Sequence, residues 1–204
     1  PSGLKFPAVG VDDLARILKP REHGGILDQR GQVEVISSVE RDTRPVFRDL
    51  RWGVYVTFAA DSDYVARCFK EYGLITDPSG QYSSMYKPFH LIGLELGISV
   101  ASIGVRGEAT GAPVCWHGDV VATAKRDLQA GEILDGEGGY TVYGKLLPAQ
   151  ESLALGGLPL GLAHGVKLLK PVKAGQPVGW EDVAYDANST AVQFRREMER
   201  VFKL

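Results

Sequence analysis

The sequence predicts an α+β chain in three consecutive parts. Residues 1–110 read as a mixed helix-and-strand region, 111–187 as a small all-β region, and 188–204 as a C-terminal amphipathic helix. Three observations carry this reading. Gly107 to Pro113 is a linker containing Gly, Thr and Pro, a composition that marks a boundary. Beyond it, Val120 to Trp180 shows short strands, many glycines and an internal repeat. The chain closes on Ala191, Phe194, Met198 and Val201, an apolar stripe at helical spacing opposite Arg195, Arg196, Glu199 and Lys203.

In the first part, Val11 to Leu18 reads as a short helix with Asp12 or Asp13 in its first turn and Lys19-Pro20 ending it. Gln32 to Val39 alternates Val33, Val35 and Ser37 against Glu34, Ile36 and Ser38, the period of a strand. Arg41 to Pro45 is a polar turn. Arg51 to Ala59 reads as a second strand through Trp52, Val54, Tyr55, Val56 and Phe58. Asp61-Ser62-Asp63 then caps a helix whose Tyr64, Val65, Cys68 and Phe69 share one face, with Gly73 as its stop. Leu74 to Lys87 is expected to be a loop with a turn at Asp77-Pro78-Ser79-Gly80. Phe89 to Val105 is largely apolar, with Pro88 placed for a first helical turn. His90 and a central Glu95 make it a poor membrane span, so a buried helix is expected.

In the second part, Arg126-Asp127-Leu128-Gln129-Ala130-Gly131-Glu132-Ile133-Leu134 aligns with Lys170-Pro171-Val172-Lys173-Ala174-Gly175-Gln176-Pro177-Val178 at an offset of 44. Ala-Gly in both copies predicts two similar turns in a β-domain of two related halves. Gly136-Glu137-Gly138-Gly139 reads as a hairpin loop. In the third part, Thr190 and Gln193 have capping-box spacing.

The 204 residues carry 23 Lys and Arg against 25 Asp and Glu, spread evenly over both halves. That balance excludes the clustered positive charge of a nucleic-acid or anionic-membrane surface. Cys68 and Cys115 are too few for a disulfide framework. A reducing, cytoplasmic setting follows, with Cys68 read as a core thiol. No signal peptide is visible, and the opening Pro1 reads as a cut inside a longer protein.

Dinucleotide and phosphate fingerprints of the G-x-G-x-x-G and P-loop types do not occur, nor do H-E-x-x-H, C-x-x-C or G-x-S-x-G. Polar residues in loops that feed apolar elements remain: Lys5, Arg21 beside Glu22 and His23, and the run of Tyr82, Tyr86, Lys87 and His90. The last group leads into a helix start, where a phosphate or carboxylate is favoured. A solvated loop is the competing reading. Glu95 needs a cationic partner in its apolar setting, as a structural ion pair or as the acid of a pocket.

Val120 to Leu134 resembles the opening of an SAF domain, the antifreeze-like module also found in sialic acid synthases, whose fold is a β-clip. Leu158 to Leu162, followed by Lys170 to Trp180, resembles its closing half. Four further segments resemble a homoserine-dehydrogenase-like NAD(P)-dependent oxidoreductase family with a C-terminal SAF domain, close to the 1-deoxy-D-xylulose 5-phosphate reductoisomerase-like proteins. They are Gly3 to Pro7, Leu50 to Val56, Tyr86 to Glu95 and Gly136 to Val142.

The resemblance implies that 1–110 is the rear part of an α/β substrate domain. It also implies that NADPH is bound by a domain outside this chain, so that the chain alone is inactive, and that a divalent metal serves the full-length enzyme. The implied reaction is reductive isomerisation of 1-deoxy-D-xylulose 5-phosphate for isoprenoid precursor synthesis. The alternative is a non-catalytic module for assembly or carbohydrate binding. Lys5, Arg21, Tyr86, Lys87 and His90 are the expected contacts to a phosphorylated or carboxylated sugar-like substrate, and no nucleic acid, no membrane and a homo-oligomer are expected.

Overall fold

The computed structural model describes residues 13–28, 31–32 and 53–202. The expected strand over Gln32 to Val39 and the turn over Arg41 to Pro45 lie outside them, apart from Gln32. The chain divides into two compact units, Pro1–Ala112 and Pro113–Leu204.

In the first unit, the short helix α1 (Leu14–Ile17) lies against the antiparallel strands β1 (Val54–Ala59) and β2 (Tyr82–Lys87). Leu14 and Ala15 are fully buried there. The expected loop over Leu74 to Lys87 is therefore corrected: its second half is a strand. Its alternation was hidden because Tyr82, Ser84 and Tyr86 are polar at their tips yet share one face. They stand opposite Ala59, Thr57 and Tyr55. The expected turn forms, with the Gly80 amide donating to the Asp77 carbonyl at 3.0 Å.

That turn anchors the unit. The Asp77 carboxylate accepts from the Lys19 ammonium at 2.6 Å, from the Ser79 hydroxyl and from the Tyr82 amide. The Lys19 and Asp77 side chains are only 9% and 1% exposed. Burial alone would raise the Asp77 carboxyl, but Lys19 and the other donors hold it below its ordinary value. Gly25 completes the corner, because a Cβ there would fall 1.9 Å from the Lys19 carbonyl oxygen.

Between the strands runs α2 (Asp63–Glu71), capped by the Ser62 hydroxyl, which accepts from the Val65 amide at 3.3 Å. Phe69 packs edge-on to Phe58 with ring centres 5.5 Å apart. Of the expected apolar face, Phe69 is buried, whereas Tyr64 is 67% exposed and Cys68 is half-buried rather than a core thiol.

The apolar segment forms α3 (Ile92–Ala101), continued by a π-helical turn over Ser102–Arg106. Pro88 thus precedes the helix instead of opening it. The expected burial is also corrected: Ile92, Leu94 and Ile98 are 68%, 72% and 67% exposed. Apolar composition predicts that a helix wants cover on every side; it does not say which chain supplies it. Among the described residues, no helix is long and apolar enough to cross a membrane.

The second unit is built on the repeat. Leu128 and Val172, equivalent at the offset of 44, exchange backbone hydrogen bonds of 2.8 and 3.0 Å. Around them four further bonds fall into two equivalent pairs. Gly131 donates to Leu168 and Gly175 to Ala124, each at 2.8 Å; Leu168 donates to Glu132 and Ala124 to Gln176 at 2.8 and 3.0 Å. Gly131 and Gly175 have φ of +92° and +79°, which explains the repeated glycine. The halves are thus related by an internal pseudo-two-fold, with β3 (Gly118–Ala124) paired to β5 (Val142–Pro148), and β6 (His164–Leu168) between β4 (Ile133–Asp135) and β7 (Val183–Ala184).

The core gathers Leu128, Leu134, Val142, Leu158, Leu168, Val172, Val178 and Trp180. The glycine-rich segment 136–139 is a turn, but not a hairpin loop, since β4 and β5 belong to different sheets. The Asp135 carboxylate closes it by accepting from the Thr141 hydroxyl and from the Tyr140 and Thr141 amides.

The short α4 (Ala149–Leu155) and the final α5 (Thr190–Val201) complete this unit. The expected capping box does not form: Ser189 is the N-cap and makes no side-chain cap bond. Within this unit the helix docks by its other face. Val192 is buried, Arg195 forks onto Asp119 at 2.9 and 2.6 Å, and Arg196 stacks 3.9 Å above Trp180. The apolar stripe faces outward, with Phe194 73% and Val201 68% exposed.

Two outcomes follow from these contacts. Asp77→Ala, which strands a buried lysine, should destabilise the first unit by about 3–5 kcal/mol in urea unfolding. The double replacement of Lys19 by Met and Asp77 by Leu should cost markedly less. The second concerns acid. The Thr141 hydroxyl, then the Tyr140 and Thr141 amides, draw the Asp135 carboxyl from 3.8 down to about 2. A depressed carboxyl adds stability above its ordinary value and loses it as pH falls through its folded one. Asp135→Asn should therefore be less stable than wild type near neutrality, and the gap should close between pH 3.8 and about 2, as read by thermal unfolding across that window.

Candidate functional site

At its far end β2 delivers Lys87, and the chain bends through Pro88 and Phe89 before α3 begins. Gly53 sets the bend. Its φ is +116°, and a Cβ there would lie 2.0 Å from the Lys87 carbonyl oxygen, so the strand opposite passes directly over this backbone.

In the first turn of α3, Glu95 reaches back over the bend. One oxygen, Oε1, accepts from the Lys87 ammonium and, at 3.3 Å, from the Leu91 amide. The other, Oε2, lies 2.6 Å from His90 Nδ1. The Lys87 hydrogen bond, foremost, holds the Glu95 carboxyl below its ordinary value, with the Leu91 amide and His90 adding to it against burial. Lys87 also sits 5.1 Å above the Phe89 ring. Glu95, needing a cationic partner from its sequence context, finds it in Lys87, with the His90 ring as a further hydrogen-bond partner.

The expected site residues are thus sorted. Lys87 and His90 come together on one carboxylate. Tyr86 does not join them: it lies on the opposite face of β2, beside Tyr55 with ring centres 6.5 Å apart. Burial, and then the neighbouring Tyr86, push the Tyr55 hydroxyl above its ordinary value. Tyr82 is 5% exposed and belongs to that buried face. Arg21 stands in a 3₁₀ turn over Arg21–His23, exposed and paired with Asp28 at 3.1 Å. Lys5 lies outside the described residues. The helix-start argument for His90 is also corrected, since the helix begins at Ile92 and its partner is a side chain.

Sequence reasoning missed the buried Lys19–Asp77 pair, because Asp77 reads as an ordinary turn residue and its partner is 58 positions away. The only available signal was a lysine directly before a proline at a helix end.

Among the described residues, no group of three or more His, Cys, Asp or Glu is arranged to hold a metal ion.

With this geometry in place, the relation to known proteins is informative. Residues 1–96 match the family described as the catalytic domain of the oxidoreductase DRL, and residues 119–184 match the SAF domain. The chain carries a DRL catalytic-domain region followed by a SAF domain. No curated protein matches the chain. The DRL match includes Lys87, His90 and Glu95, and the SAF match takes in both copies of the internal repeat.

Gly53 provides the test of this arrangement. Gly53→Ala should lower the stability of the first unit by about 1–2 kcal/mol from its backbone angle alone. It should also shift the amide resonances of Lys87 and Pro88's neighbours in NMR spectra. Unchanged shifts at Lys87 would show that the close approach does not hold the bend.

Proposed function

We propose that this chain contributes the substrate-facing part of an oxidoreductase, and that the cluster of Lys87, His90 and Glu95 meets a small anionic substrate. The observation that carries this reading is the convergence of two cationic or proton-bearing side chains on one ionised carboxylate, inside the region that matches the DRL catalytic domain. An oxidoreductase of this class implies a nicotinamide cofactor in general. The finer reading is that the cofactor is NADPH, held by a domain outside this chain, because the chain has no glycine fingerprint to receive a pyrophosphate.

The finer reaction is reductive isomerisation of 1-deoxy-D-xylulose 5-phosphate in the cytoplasm. It is supported by the resemblance of Tyr86 to Glu95 to the reductoisomerase-like proteins. In this reading Lys87 supplies charge to the phosphate, and His90 meets a hydroxyl of the same substrate. The substrate must draw Lys87 partly away from Glu95, and the Phe89 ring keeps the ammonium in place while it does so. We also propose a homo-oligomer, which the exposed stripe of Phe194 and Val201 favours.

In the complete enzyme, Lys87→Ala should weaken substrate binding by roughly 1.5–3 kcal/mol, the worth of a charge-assisted hydrogen bond. KM should rise about tenfold or more, with nicotinamide affinity unchanged. The check is steady-state turnover of 1-deoxy-D-xylulose 5-phosphate, followed by NADPH absorbance. Absence of turnover by the wild-type enzyme would remove the substrate. Wild-type kinetics in the variant would remove the site.

A further inference from the structure

We propose that His90 is a proton-transferring group working through Nε2, and that Glu95 is the positioning residue that fixes its tautomer. The inference deepens the reading above and rests on it for the ligand's place, but its geometry is independent of the substrate's identity. A carboxylate can only accept, so the 2.6 Å contact with Glu95 Oε2 places a proton on His90 Nδ1. In the neutral ring the lone pair then lies on Nε2, the nitrogen on the far side from Glu95.

Glu95 is well fixed for this task. Lys87 and the Leu91 amide occupy its other oxygen, so the carboxylate cannot rotate without losing bonds at both ends. Its side chain is 28% exposed, whereas that of His90 is 55% exposed. The orienting group is thus sheltered and the working group is open. A purely structural ion pair would need neither a histidine nor this division. His164 offers an internal contrast. Its Nδ1 faces a neutral backbone carbonyl, that of Asp135, at 3.0 Å. That contact can set a tautomer but cannot stabilise an imidazolium by charge.

The step balances within the pair. A ligand hydroxyl loses its proton to Nε2: the O–H bond breaks, its electrons remain on oxygen, and an N–H bond forms. The resulting imidazolium is stabilised by the Glu95 carboxylate through Nδ1–H. The reverse step returns the proton to an oxygen, and solvent restores the resting state. Lys87, one strand position from the bend, is placed to meet negative charge on the same ligand.

Three measurements test this. In long-range nitrogen-15 NMR of the 204-residue chain at about pH 8, above the ordinary histidine range, His90 should show a protonated Nδ1 and a bare Nε2. Glu95→Ala should lose that preference. A wild-type His90 protonated on Nε2 overturns the proposal. Second, diethyl pyrocarbonate, which reacts with a bare imidazole nitrogen, should modify His90 faster in wild type than in Glu95→Gln, and His164 equally in both. Equal rates at His90 overturn the positioning role of Glu95. Third, in the complete enzyme with 1-deoxy-D-xylulose 5-phosphate, His90→Gln should lower kcat by about 10²–10⁴ with little change in KM. A rise in KM alone would leave anion contact standing and overturn proton transfer. If the wild-type enzyme does not turn over that ketose phosphate, the substrate assignment fails, and the first two measurements still decide this proposal.

Discussion

Leu128 and Val172 pair with each other across an internal pseudo-two-fold, and the second unit is organised by that constraint. A residue that pairs with its own equivalent leaves little freedom elsewhere. Ala124 must meet Gln176 because Leu168 meets Glu132, and the glycines at 131 and 175 must both turn with positive φ. Each half lacks enough apolar area to be stable alone. Leu134 and Val178, again equivalent, are both fully buried, so each half completes the core of the other.

The symmetry is broken by charge. Asp127 accepts from the Lys173 ammonium at 2.8 Å and from the Ala174 amide at 3.0 Å, but its equivalent is Pro171, which has nothing to offer in return. Likewise Glu132 holds Arg126 and the Gln129 amide, while Gln176 keeps only the amide contact to Lys173. The backbone pattern is therefore what both copies retain, whereas their ion pairs go to different partners: Arg126 to Glu132, and its equivalent Lys170 to Glu181 and Asp182 at 3.5 and 3.7 Å. This ranking agrees with energetics, since buried backbone groups must be paired whereas exposed ion pairs contribute little.

The repeat was legible in the sequence because its requirement is local: a glycine at one position, an aliphatic residue at another. The same holds for β1, for the Ser62 cap and for the Asp77 to Gly80 turn. What was not legible depends on distant partners. Strand β2 looked like a loop because its buried face carries hydroxyls, and only register against Tyr55, Thr57 and Ala59 identifies it. The candidate site was half legible. Lys87, His90 and Glu95 are neighbours in sequence, and the unease of an acid in an apolar segment pointed to them. That Tyr86 would face away follows from the strand's alternation, which a loop reading cannot supply.

The final helix shows the limit of pattern reading most directly. Its apolar stripe of Ala191, Phe194, Met198 and Val201 has the spacing of a packing seam, yet Arg195 and Arg196 make the contact instead. Arg195 is only 11% exposed, forks onto Asp119 and lies 4.6 Å from the centre of the Trp116 ring. Burial alone would raise the Asp119 carboxyl, but Arg195 and the Ser152 hydroxyl keep it below its ordinary value. A guanidinium can do this because its flat faces stack on aromatic rings while its edge satisfies carboxylates. Hydrophobic periodicity scores such a residue as solvent-facing. Here it is the anchor, and the seam remains free for a surface beyond this unit.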